Sequence, residues 1–136
     1  MMDQIQPAQT AQFLRRFVFR GGSLRRIRLH SHSAQRSSGE LVVSVRRADS
    51  NDPVRLRIVM EGVEEYRFQR RPGPSLFRLK EVRLGYFNGL FFLNLDAYPE
   101  EGPPALIDFR ASDAFLAGRS FTWEILPTKS KRSPTL

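Results

Sequence analysis

The pair His30 and His32 is the first place in this sequence where residue types and spacing could hold a metal ion. If the segment is a strand, both side chains lie on one face, because side chains alternate between faces, and imidazole is a frequent zinc ligand. A third ligand is missing, since the nearest acidic residues, Glu40 and Asp49, are not at a metal-binding spacing. We therefore expect no metal site and no cofactor.

Clusters of carboxylates are the other candidates for chemistry. Glu61, Glu64 and Glu65 gather around one turn. Glu81 is expected to face Asp96 across a hairpin. Neighbouring carboxylates raise each other's pKa values and can then act as a general acid and base. We interpret both groups instead as solvated charges at strand ends, because charged side chains are mostly exposed.

Nucleophilic catalysis has little support in the residue types. The chain has no cysteine and two histidines, so a nucleophile with a positioned base is hard to assemble. Gly21, Gly22 and Gly85 lack the further glycines and the lysine that a phosphate-binding loop requires. The sequence therefore predicts a protein that is not an enzyme, and we expect no small-molecule ligand.

Arginine supplies most of the positive charge. The 136 residues include 22 Lys and Arg against 14 Asp and Glu, a net charge of +8, and lysine occurs only at Lys80, Lys129 and Lys131. A basic balance favours anionic partners, and arginine suits bidentate contacts with phosphate. The same bias can also come from the base composition of the source genome, so the total charge alone does not decide between the two.

Part of this positive charge is expected on one face of a sheet, at Arg46, Arg55 and Arg57. They occupy outward positions on two neighbouring strands, and Arg26 and Arg28 extend the strip if the first strand pairs there. Sheets that bind nucleic acid usually carry exposed aromatic residues for base stacking, whereas the outward neighbours here are valine and serine. A basic nucleic-acid-binding β domain is therefore our alternative interpretation of function.

Residues 82–98 carry the strongest folding signal in the chain. The dipeptide Asn88-Gly89 between apolar runs is typical of a type I′ turn, since both residues tolerate positive φ. The two-residue loop fixes the register, in which Phe87 faces Leu90. The predicted core face of this hairpin comprises Val82, Leu84, Tyr86, Phe91, Leu93 and Leu95.

The opposite face of the hairpin carries Phe87, Leu90 and Phe92 close to the turn, with Phe92 placed to cover Gly85. Exposed apolar residues rimmed by charge often mark partner sites. We therefore predict a non-enzymatic protein-interaction module that binds a protein partner, or a second copy of itself, at Phe87, Leu90 and Phe92. The alternative is that the N-terminal helix or another strand covers these residues.

The rest of the chain predicts a mainly β fold. A helix is expected at 8–20, where apolar residues have helical spacing, with the alternative that 17–20 is already extended. A strand at 64–70 is expected to pair with 54–60 through a bulged turn at Gly62. Further strands are expected at 24–31, 40–48, 105–110 and 119–126, with a flexible loop at 31–39 and a helical turn at 112–118. The sum is an antiparallel sandwich or open barrel of roughly eight strands with one N-terminal helix.

The chain length suits a single domain. We expect residues 8–126 to form it, between a disordered N-terminus at 1–7 and a disordered basic tail at 127–136. No apolar run reaches the roughly eighteen residues of a membrane span, and the start lacks the basic-then-apolar pattern of a signal peptide. The expected protein is cytoplasmic and does not enter a membrane.

Two stretches of the chain resemble a family of small bacterial β domains, some of them classed as immunity proteins of toxin systems. Phe19 and Leu24 fit the start of the first strand, and the aliphatic strand that ends in Gly62-Val63 fits a second motif. The family often opens with a Phe-His-Asp turn, and Arg20-Gly21 stands at the His-Asp position here. The resemblance implies a non-enzymatic binding role and carries over no functional residue.

Overall fold

The computed structural model describes residues 2–33, 36–68, 78–97, 105–110 and 114–127. These residues form nine strands and two short α-helices. The strands are β1 (Asp3–Gln4), β2 (Phe17–Ser33), β3 (Arg36–Arg47), β4 (Pro53–Glu61), β5 (Glu65–Phe68), β6 (Glu81–Phe87), β7 (Leu90–Ala97), β8 (Ala114–Gly118) and β9 (Thr122–Ile125). The helices are α1 (Thr10–Arg15) and α2 (Leu106–Arg110).

The strands form two antiparallel sheets. A five-stranded sheet has the order β1-β9-β4-β3-β2, and a four-stranded sheet has the order β5-β8-β7-β6. The apolar inner faces of both sheets meet in one main core. The predicted mainly β, antiparallel sandwich-like class with one N-terminal helix is therefore confirmed.

The alternation of apolar residues in β3 and β4 builds the floor of this core. Leu41 and Val43 of β3 are 1% and 0% exposed, and Leu56 and Ile58 of β4 are 0% and 1% exposed. Because side chains alternate between faces, the residues between them point outward from the same two strands. The inward positions of β3 and β4 therefore determine which residues of these two strands lie on the outer face of the sheet.

The central hairpin has the predicted turn. Asn88 and Gly89 have φ angles of 53° and 82°, as a type I′ turn requires. The register holds as expected from Phe87 opposite Leu90 down to Leu84 opposite Leu93. Beyond that, a bulge shifts the pairing, so that Glu81 lies opposite Ala97 and the expected pair of Glu81 with Asp96 is wrong.

The second face of the hairpin is covered. Leu90 and Phe92 are 8% and 1% exposed and form a second apolar cluster with Phe109 of α2 and Phe115 of β8. Phe87 is partly buried against the same cluster. The exposed apolar patch expected at the hairpin tip is therefore absent, because α2 fills the place where solvent was expected.

The assignments at 105–110 and 112–118 are exchanged in the structure. Residues 106–110 are helical, and this spacing turns Leu106 and Phe109 onto the second cluster. Residues 114–118 form a strand that is buried at every position, because β8 lies between β5 and β7. Both errors arise where tertiary contacts override a short local pattern.

The N-terminal helix is shorter than expected. It ends at Arg15, and Phe17–Ser33 is one long strand, so the alternative of an extended 17–20 is correct. Phe17 and Phe19 alternate into the core beside Phe13. Gly21, at φ 86°, lies inside β2 at an irregularity of its pairing with β3, instead of terminating a helix.

Several connections also differ from the expectation. The turn at Gly62 does not form a hairpin, because β5 pairs with β8 in the other sheet. The expected loop at 31–39 is in part strand, since β3 begins at residue 36. Asp3 and Gln4 pair with β9, although residues 1–7 are expected from the sequence to lie outside the domain. Residues 128–136 of the expected tail lie outside the described residues.

The described part of the chain contains no helix that is both long and apolar enough to cross a membrane.

Candidate functional site

The outer face of the five-stranded sheet collects arginines from three adjacent strands. β2 pairs with β3, and the register of this pairing places Arg26 and Arg28 on the same face as Arg46, Arg55 and Arg57. Val42 of β3 lies opposite Arg26 on one side and Arg57 on the other. We call this set the arginine face: Arg26, Arg28, Arg46, Arg55 and Arg57.

Val42 shows how closely the arginine stems pack on this face. It points outward, as expected, yet it is only 6% exposed. Its cross-strand neighbours are Arg26 and Arg57, whose aliphatic stems can cover it while the guanidinium groups stay in water. The pairing therefore places two arginine side chains of this face beside Val42.

Arg57 differs from the other four, because two carboxylates hold it. Its Nε donates to Glu40 Oε2, and its Nη1 donates to Glu124 Oε2 at 3.0 Å. Glu40 lies on β3 and Glu124 on β9, so the triad links three neighbouring strands. Arg57, one of the predicted nucleic-acid contacts, is thus already occupied within the chain.

The hydrogen bonds of the triad shift the pKa values of Glu40 and Arg57. The hydrogen bond from Arg57 is the largest cause that holds the pKa of Glu40 below its ordinary value of 4.5, and the charges of Arg28 and Arg26 add to it. The pKa of Arg57 is raised, chiefly by its hydrogen bonds to Glu40 and Glu124. Glu40 and Arg57 are therefore both charged near neutral pH.

The other four arginines of the face have no such partner. Arg26, Arg28, Arg46 and Arg55 are exposed or nearly so, and none forms an ion pair with a described acidic residue. Around the four-stranded sheet, in contrast, three arginines are paired with glutamates. Those pairs are Arg83–Glu81 at 3.3 Å, Arg110–Glu65 at 2.7 Å and Arg119–Glu64 at 2.8 Å.

The outward positions of β2, β3 and β4 offer charge without stacking surfaces. Between the arginines lie small or aliphatic residues such as Ser44 and Val59, and no Phe, Tyr or Trp occupies a described outward position on these three strands. Such a face can contact phosphate oxygens but cannot stack bases. Its chemistry suits a polyanion that is recognised by its backbone.

Three of the carboxylates considered for catalysis form ion pairs around the four-stranded sheet. Glu64, Glu65 and Glu81 each bind an arginine, and Glu61 is exposed at the end of β4. Within the described ranges, no three His, Cys, Asp or Glu side chains gather closely enough to hold a metal ion.

Two of the three residues predicted to bind a protein partner are buried, and the third, Phe87, is partly buried. Phe87 packs against Phe92 and Phe109 with ring centroids 6.0 and 5.5 Å apart. Leu90 and Phe92 are buried, so neither can meet a partner in this conformation. The missed signal was the spacing of Leu106 and Phe109, which brings a short helix over the hairpin.

Comparisons with protein-family models, with curated proteins and with solved structures found no match for this chain. The resemblance to bacterial immunity-type β domains therefore stays a prediction.

Proposed function

We propose that this protein is a non-enzymatic nucleic-acid-binding domain that holds a phosphate backbone against the arginine face. The observation that supports this proposal is the contrast in pairing. Three arginines around the four-stranded sheet form ion pairs with glutamates, whereas Arg26, Arg28, Arg46 and Arg55 have no ion pair with a described acidic residue. Unpaired guanidinium groups on one sheet face are available to phosphates.

Binding of this kind draws its free energy from the release of counterions and from bidentate hydrogen bonds of guanidinium groups to phosphates. Without aromatic residues on the face, single-stranded bases gain no stacking surface. We therefore expect little dependence on sequence and no preference for single strands over duplexes. The role of Glu40 and Glu124 is to orient Arg57 and, as the acidic members of the face, to limit where the polyanion lies.

The test is direct titration of a fluorescein-labelled DNA duplex of about 20 base pairs, read by anisotropy at about 50 mM salt. Arg28→Gln and Arg55→Gln should each weaken binding about three- to tenfold, because each removes one phosphate contact. Arg119→Gln is the matched control: it removes the same charge from a residue that pairs with Glu64 away from the face. Equal losses in all three variants, or no binding by the wild type, would exclude the proposal.

A second candidate function is protein binding, and it is favoured by the position of β2 at the edge of its sheet. Hydrogen bonds join Gly21 and Gly22 to Leu79, but residues 24–29 pair with no described strand on that side. Open strand edges accept extended peptides, and the exposed arginines here favour an acidic one. The predicted interaction-module function would then use this edge in place of the hairpin tip.

Hydrogen exchange separates this candidate from binding by charge alone. A peptide of alternating Glu and Val should slow exchange of amides in 24–29, because strand addition engages the main chain. The same peptide with Pro in place of Val keeps its charge but lacks the amide hydrogens for a ladder. Protection by both peptides, or by neither, would count against strand addition.

A further inference from the structure

A cleft of about 250 Å³ lies away from the arginine face, between β1, α1 and β9. Its floor is apolar and includes Phe13 and Trp123, which are 2% and 4% exposed. Its lining also includes charged and amide side chains, among them Asp3, Gln9, Gln12 and Arg16.

Arg16 is held in a defined place above the floor of the cleft. Its guanidinium carbon lies 4.9 Å from the centre of the Trp123 ring, and its backbone carbonyl accepts a hydrogen bond from the Ala48 amide at 2.9 Å. A guanidinium stacked on an aromatic ring keeps the N–H donors of its edge free. Among the described acidic residues, none forms an ion pair with Arg16.

Asp3 brings the opposite charge to the same cleft. It lies opposite Trp123 in the β1–β9 pairing, and the next turn of chain is tied down by the hydrogen bond from the Ile5 amide to the Phe121 carbonyl at 3.0 Å. Asp3 and Arg16 both line the cleft, but they form no ion pair with each other. Among the described residues that line the cleft, one cation and one anion are therefore present and form no ion pair with each other.

We propose that this cleft binds a small zwitterion of amino-acid size, with its carboxylate on Arg16 and its ammonium group on Asp3. A simple anion would be repelled by Asp3, and a simple cation by Arg16, whereas a molecule that carries both charges satisfies both. The cleft volume lies just below the roughly 300–1,000 Å³ that is usual for ligand pockets, so the ligand must be small. Gln9 and Gln12 add amide groups beside the charged pair.

This inference departs from the expectation that the chain has no small-molecule ligand. The lining residues come from positions 3 to 16 and from 123, so no local pattern in the sequence brings them together. It is also independent of the proposed function, because the cleft and the arginine face share no residue. One can fail while the other stands.

The test uses the fact that Trp123 is the only tryptophan of the chain and lines the cleft, so that its fluorescence responds to a ligand bound there. The probes are L-leucine, 4-methylpentanoate, which lacks the amino group, and 3-methylbutylamine, which lacks the carboxylate. Leucine should give a saturable change in fluorescence, and each single-charge probe should bind at least about tenfold more weakly. No saturable change with leucine, or equal binding of 4-methylpentanoate, would overturn the proposal.

Three variants assign the binding to the two charges. Arg16→Gln should abolish the leucine titration, and Asp3→Asn should remove the preference for leucine over 4-methylpentanoate. Arg15→Gln is the control, since Arg15 is exposed on α1 and does not line the cleft. Circular dichroism of each variant confirms the fold. An unchanged leucine affinity in Arg16→Gln, or a loss in the control equal to that in Arg16→Gln, would also overturn it.

Discussion

Arg57 shows that an arginine on a basic face need not be a ligand contact. Two carboxylates bind its guanidinium group, and its side chain is 36% exposed. Arg55, two residues away on the same face, has no ion pair with any described acidic residue. We therefore assign a structural role to Arg57 and propose a binding role for Arg55. Alternation along β4 alone could not separate these two residues.

The triad makes part of the stability depend on pH. Because the pKa of Glu40 is lowered in the folded protein, its contribution is fully present above about pH 4.5 and is lost as the pH falls through the lower folded value. Urea melts at about pH 7 and about pH 3 should show a larger acid loss in the wild type than in Glu40→Gln, by about 1 kcal/mol. An identical acid loss in both proteins would contradict this role of Glu40.

Removing a carboxylate from the arginine face should strengthen binding of nucleic acid. Glu40→Gln releases Arg57 from one partner and takes one negative charge from the path of the phosphates. We expect affinity for duplex DNA to rise about three- to tenfold at low salt. Glu64→Gln removes the same charge near Arg119, away from the face, and serves as the control. If both variants bind alike, the face is not the binding surface.

At the scale of elements, the hairpin could be predicted and its cover could not. The register near the turn follows from the local preference of Asn88 and Gly89 for positive φ. The helix α2 and the buried strand β8 depend on what packs beside them, and their short apolar runs fit a helix or a strand equally well. The sheet change after Gly62 was missed for the same reason, because pairing of β5 with β8 is a long-range choice.

The turn gives a clean conformational test. Gly89 has φ 82°, and no atom lies within 4 Å of the position that a Cβ would take. Gly89→Val should therefore lower the free energy of unfolding by about 1 to 3 kcal/mol through backbone strain alone. Urea denaturation measures this loss. A variant as stable as the wild type would show that the turn has another conformation.

Burial of both hairpin faces sets the expected cost of two truncations. Phe92 and Leu93 are each 1% exposed, in different clusters. Phe92→Ala should cost about 3 to 5 kcal/mol and Leu93→Ala about 2 to 5 kcal/mol in the free energy of unfolding. Urea melts of the two variants compare them directly. A loss below about 1 kcal/mol for Phe92→Ala would mean that α2 does not cover this face, and the hairpin-tip hypothesis would return.

At the scale of the whole molecule, each sheet carries arginines that are held in ion pairs. The net charge of +8 does not say where the positive charge is free, because ion pairs depend on residues far apart in sequence. Arg57 and Glu124 are 67 positions apart, and Arg110 and Glu65 are 45 apart. The sequence could therefore place Arg46, Arg55 and Arg57 on one face, and it could not show which of them is neutralised.

The salt dependence of DNA binding tests the central claim most directly. If Arg26, Arg28, Arg46 and Arg55 each contact one phosphate, log K should fall against log salt concentration with a slope of about −3 to −4. Arg28→Gln should reduce the magnitude of this slope by about 1, and Arg119→Gln should leave it unchanged. Binding without dependence on salt, or the same slope in the wild type and Arg28→Gln, would contradict backbone recognition by the arginine face.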